Sequence, residues 1–139
     1  MTDLPLTGGC VCGGVRYEVT QPPLGASYCH CTRCQRRTGT AASAQARIAP
    51  GSLRLVAGEE LVRSYDPGGG SFLKAFCTVC GSALWSRHPD DPDLVSIRLG
   101  TFDADPGVRP GFRQFVDYAA AWEPIPDDGL PRFPERRPA

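Results

Sequence analysis

Lysine is almost missing from this chain. Of its fifteen basic residues, every one except Lys74 is arginine. A coding bias of the source genome accounts for such a skew, so it defines no function by itself. An excess of charge is missing too, because fifteen acidic residues balance the fifteen basic ones. No basic surplus draws the protein onto nucleic acid, and no long run of like charge forms an interaction tail. No stretch approaches the roughly 18 apolar residues of a membrane span. The opening MTDLPLTGGC has neither the basic start nor the apolar stretch of a secretory signal. The expectation is a cytoplasmic protein that partners neither nucleic acid nor membrane; no pattern in the chain specifies an oligomeric state.

Glycine and proline are plentiful, at sixteen and fourteen of 139 residues, and the apolar segments between them are short. Val15-Arg16-Tyr17-Glu18-Val19 alternates with period two, the mark of a half-buried strand. Similar runs follow at 52–56, 61–65, 72–76, 83–86, 94–99 and 112–116. Long amphipathic helices are lacking. The stretch TRCQRRTG after Cys31 suits one or two helical turns closed by Gly39. Many short strands predict a mainly β domain, with residues 1–139 as one unit large enough to bury a core. The proline-rich tail, from Pro124 to Pro138, is expected to run extended over the sheet with a frayed end.

Seven cysteines stand out in a chain expected to meet a reducing compartment, where disulfides are rare. They form three groups: Cys10-x-Cys12, Cys29-x-Cys31-x-x-Cys34 and Cys77-x-x-Cys80. The last, FCTVCG, has the form of a zinc knuckle, its glycine permitting the turn after the second sulfur. A structural zinc takes four ligands, and Cys10 and Cys12, bracketed by Gly8, Gly9, Gly13 and Gly14, are the natural second pair. Such a site would tie the N-terminal strand to the middle of the chain and contribute folding energy directly. The competing reading of Cys77 and Cys80 as a redox pair needs a strand–helix–strand unit that is not visible here.

Cys29, Cys31 and Cys34 remain. Three protein ligands with an open fourth position characterise catalytic rather than structural zinc. His30 lies between two of the ligands and would point away from an ion they share. His88, just before the Pro89-Asp90-Asp91-Pro92 turn, is the other histidine that can reach the fourth position, and an exchangeable ligand there is the favoured alternative. Zinc with three thiolates carries one net negative charge and would hold an incoming thiol as thiolate. Arg33, Arg36 and Arg37 flank the triplet and are candidates to offset that charge and grip a substrate carboxylate, or else are solvated surface arginines.

Five segments in order, GGCVCGGVRYEV, YCHCTRCQRRTGT, KAFCTVCGSALWS, LVSIRLGTFDAD and FVDYAAAWEPIPDDGLPRFPE, resemble the glutathione-dependent formaldehyde-activating enzyme family, which includes the centromere protein V type of domain. The resemblance covers about residues 8 to 135. It implies several short antiparallel sheets of the β-tent type and two zinc ions, partitioned as the spacing suggests. It also implies a carbon–sulfur lyase-type reaction, condensing formaldehyde, or another aldehyde, with glutathione or another small thiol. Two positions depart from the family pattern: Arg113 replaces a histidine and Ala119 a lysine, and a guanidinium cannot serve as a base. A zinc-stabilised protein-binding module without catalysis is the alternative. A methionine-sulfoxide-reductase-like reading falls, since no cysteine follows Cys80 to act as its isolated nucleophile.

Overall fold

The computed structural model describes residues 3–138. Ten strands and one short α-helix form two sheets. The smaller sheet joins β1 (Leu6–Gly9), β2 (Arg16–Val19) and β5 (Leu53–Ala57) in the order β1-β2-β5, all antiparallel. The larger uses β3 (Gly25–Cys29), β4 (Ser43–Arg47), β6 (Val62–Tyr65), β7 (Leu73–Cys77), β8 (Ala83–His88), β9 (Asp91–Arg98) and β10 (Pro110–Gln114). Its order is β10-β3-β4-β9-β8-β7-β6. Every pair in it is antiparallel except β10 with β3, which is parallel. The mainly β expectation holds, but in two sheets rather than several, and with that one parallel pair.

Side-chain alternation explains how the larger sheet does two jobs. Successive side chains of a strand face opposite ways. On β9, Val95 and Ile97 enter the core, while Leu94, Ser96 and Arg98 face an open cleft. On β7, Ala75 and Cys77 are core and Lys74 faces the cleft. Register carries these residues into continuous rows: Cys29 lies between Gln114 and Ser43, Gln45 between Ser27 and Arg98, and Ser86 between Ser96 and Lys74.

The core packs behind this face. Val15, Tyr17, Val19, Ile48, Leu84 and Ile97 are almost wholly buried. The Tyr17 ring meets Trp85 and Phe102 edge-on, at centroid separations of 6.3 and 5.9 Å. Its hydroxyl donates to Thr101 Oγ1 at 2.6 Å, while Thr101 donates to the Arg98 carbonyl at 2.8 Å. The polar end of a buried tyrosine is thereby satisfied.

The helix α1 (Thr32–Thr38) follows the cysteine triplet, within the stretch where the sequence allows one or two turns. Cys31 is its N-cap, the sulfur accepting from Cys34 N at 3.3 Å. Gly39 closes it in the left-handed region at φ 66°, where a Cβ is disfavoured. The proline-rich tail runs beside the outer edge of β10 rather than across the sheet. Phe133 N donates to Arg113 O, Arg113 N to Pro131 O and Phe115 N to Glu135 O, at 2.9 to 3.0 Å. An otherwise open strand edge is covered.

Candidate functional site

The seven sulfurs gather into two groups, of four and of three, with no disulfide among them. Cys10, Cys12, Cys77 and Cys80 come together between β1–β2 and β7–β8, their sulfurs all within 4.8 Å of one another. The Cys10–Cys12 and Cys12–Cys77 separations are 3.4 and 3.9 Å. Ligands about 2.3 Å from a tetrahedral zinc stand roughly 3.8 Å apart, so this donor set fits such an ion. Backbone N–H groups support the sulfurs: Val15 N reaches Cys10 at 3.2 Å and Gly14 N reaches Cys12 at 3.4 Å. Ser82 Oγ lies 3.2 Å from Cys80 and accepts from Val11 N at 3.1 Å, joining the two hairpins again. The Ser82 contact lowers the Cys80 thiol to about 5, placing it among the acidic thiols that metals and electrophiles meet as thiolates.

Cys29, at the end of β3, and Cys31 and Cys34, around the start of α1, form the second group, again within 4.8 Å. Hydrogen bonds from Cys29 and Cys31 hold Cys34 down at about 2, helped by the nearby Arg98 charge. The contacts of Cys29 with Cys31 and Cys34, followed by burial, push its own pKa up. The neighbouring sulfurs and the Arg98 charge favour the thiolate form of Cys34, and a soft divalent cation suits the set. Neither histidine belongs to either group. His30 is buried, its Nε2 3.1 Å from Arg113 Nη1 and its backbone N–H on Gln114 O. Burial, then the Arg113 charge, lowers its pKa. His88 lines the same cleft as the triplet, but its Nδ1 accepts from Asp90 N at 3.1 Å and its ring meets Phe72 edge-on.

The triplet lies at the wall of a cleft of about 890 Å³. Arg33 and Arg36 on α1 are exposed at its rim and Arg37 is half-buried. The structure brings all three to the cleft and adds basic residues that sequence reasoning overlooked: Arg47, Lys74, Arg98, Arg136 and Arg137. Their signal was available in part, since Lys74 falls inside the apolar run 72–76 and Arg98 inside the run 94–99. Arg136 and Arg137 arrive only because the tail folds back along β10; the Arg137 guanidinium lies 4.2 Å from the Phe112 ring centroid. Arg113 is buried against His30 and does not line the cleft. It bonds Asp128 at 2.8 Å and stacks 4.3 Å over Tyr28.

One group of four thiols joins segments of the two sheets, and a second group of three opens on a basic cleft. Comparison with known proteins is more specific. Residues 5–118 match the model of the glutathione-dependent formaldehyde-activating enzyme family, and the chain belongs to that family. A Halomonas elongata protein bearing the name of that enzyme is 31% identical over 109 residues, spanning 72% of this chain and 67% of its own. A crystal structure of a Rhodobacter sphaeroides protein superposes with a TM-score of 0.57 at 27% identity, covering 91% of this chain and 98% of the other.

Proposed function

We propose that this chain is a zinc-dependent enzyme of the carbon–sulfur lyase type, adding a small thiol to an aldehyde in the S-hydroxymethylglutathione synthase manner. The carrying observation is the group of three thiols, Cys29, Cys31 and Cys34, opening on a cleft large enough for a tripeptide. The family name supports glutathione and formaldehyde as the pair. Cys10, Cys12, Cys77 and Cys80 would hold a structural zinc, and the triplet a second one. At the second site, bound zinc would supply a Lewis acid and an acidified thiol. Arg33, Arg36 and Arg37 bind and orient the acidic groups of the thiol, so that its sulfur and the aldehyde meet without the entropy cost of a free encounter. In the reaction the sulfur–carbon bond forms as the carbonyl π bond breaks, and the thiol proton passes to the carbonyl oxygen. No redox partner is required.

The chain works in this reading as one domain, and seven free thiols suit a cytoplasmic setting. Among the described residues no helix is long and apolar enough to cross a membrane. Zinc X-ray absorption tests the reading. Protein loaded anaerobically with two equivalents of zinc should show one four-sulfur site, plus one three-sulfur site with a light-atom ligand. Glutathione should convert the second to four sulfurs. A second site that is closed by His88 and unchanged by any thiol would replace the enzyme with a non-catalytic binding module.

A further inference from the structure

The cleft carries more positive charge than its sulfurs can offset. Arg98 is 9% exposed, and Arg37, Arg47 and Lys74 are half-buried. All four line the cleft, and no aspartate or glutamate does so among the described residues. Among the described residues none of the four takes part in an ion pair. Their partners are neutral. Arg47 Nε donates to Ser96 Oγ at 3.0 Å, Lys74 Nζ to Ser86 Oγ at 3.2 Å, and Arg98 Nη1 to Gln45 Oε1 at 2.8 Å. Arg47 and Lys74 also lie 5.7 and 5.8 Å from the Phe72 ring centroid. Arg37 Nε is buried with no hydrogen-bond partner among the described residues.

Buried charge without counter-charge is unfavourable, and the cations weigh on one another. Burial, and then repulsion from Arg98, lowers both Lys74 and Arg37. Three thiolates around a divalent ion would bring one negative charge against these four positive ones. A ligand that completes the balance supplies about three, of which its own sulfur can be one.

We propose that the thiol preferred by this cleft carries at least two acidic groups and no ammonium. With the sulfur supplying one of the roughly three negative charges, two remain for acidic groups. Glutathione carries the acidic groups, but its ammonium would enter a lining that offers it no carboxylate. This inference rests on the thiol-binding reading above and adds the charge class of the thiol.

Isothermal titration into the zinc-loaded full chain tests it. Glutathione is compared with N-acetylglutathione, the same tripeptide without its ammonium. Cysteine is compared with mercaptosuccinate, which controls for the bulk of the acetyl group, and 2-mercaptoethanol serves as the neutral reference. Each ammonium-free acid should bind about ten-fold more tightly than its partner. Added salt should narrow that gap. So should Lys74→Met, with Arg47→Met as a second variant should the first fail to fold. Glutathione matching its acetylated form, with cysteine matching mercaptosuccinate, overturns the inference and leaves thiol binding standing. No heat and no change in the zinc absorption edge with any of the five thiols defeats the thiol reading itself, and this inference with it.

Discussion

Single residues divide the two sulfur groups by consequence. Cys77 is fully buried, and its sulfur belongs to the group that bridges the two sheets. Cys34 reports to a cleft. Cys77→Ala should leave an insoluble or unfolded chain, because a structural ion couples directly to folding. Cys34→Ala should stay folded and hold about one zinc fewer per chain; equal loss of thermal stability in both variants would contradict the division. His88→Ala should keep the full metal content, by plasma emission or mass spectrometry, because neither of its ring nitrogens joins either sulfur group. Lys74 offers the opposite case, a half-buried cation that bonds a serine hydroxyl and lies over a ring, with no carboxylate against it among the described residues. Lys74→Met should raise the stability of the ligand-free protein by about 1 kcal/mol in urea melts, since an apolar side chain replaces a poorly compensated charge. Acidic thiols should bind that variant less tightly.

Elements set where the chemistry sits. The short α1 is held at one end by a cysteine sulfur that also belongs to the triplet, and at the other by Gly39. Ligand geometry and helix start are therefore one feature. The tail is held at β10 by backbone bonds and by Arg113 on Asp128. The Arg113 hydrogen bond lowers the Asp128 pKa below its ordinary value of 3.8. The sign follows from linkage. A carboxyl with a depressed folded pKa adds stability above its unfolded pKa, and that contribution is lost as pH falls through the folded value. The clasp should therefore hold from neutral pH down to about 4 and loosen below it. Hydrogen exchange at the Phe133 amide should accelerate there before the core amides of β9 respond. Simultaneous exchange of both would remove the tail clasp as a separate unit.

At the scale of the whole molecule, the four-cysteine clip and the packing behind it join the two sheets. Within the smaller sheet the fit is tight at Gly58, just past β5: it sits at φ 81°, and a Cβ there would lie 2.1 Å from the Gly14 carbonyl oxygen ahead of β2. Gly58→Ala should destabilise the domain by about 2 kcal/mol or more, combining a left-handed backbone with a clash against main chain. Gly39→Ala, strained in φ but open around its Cβ, should cost about 1 kcal/mol. Thermal melts of the two variants side by side separate the clash from the strain.

Much of this architecture is legible in the sequence, because cysteine spacing and period-two alternation are local properties. All seven runs recognised by their apolar pattern overlap strands, and the turn after Cys31 ends at Gly39 as its glycine implies. The strands β1, β3 and β4, reading LTGG, GASYC and SAQAR, escape notice. Small residues give them little propensity of their own, and neighbouring strands hold them in place. The sorting of the cysteines into four and three likewise follows from spacing and glycine context. What the chain alone could not assign was the face each polar strand residue meets. Alternation distinguishes two sides of a strand, but whether the second side is solvent or cleft depends on how seven strands are ordered. Only that order sets Arg98 beside Gln45 and Lys74 beside Ser86, and only the returning tail brings Arg136 and Arg137 to the same cleft. The donor atoms were written locally; the field around them comes from contacts between residues far apart in the chain.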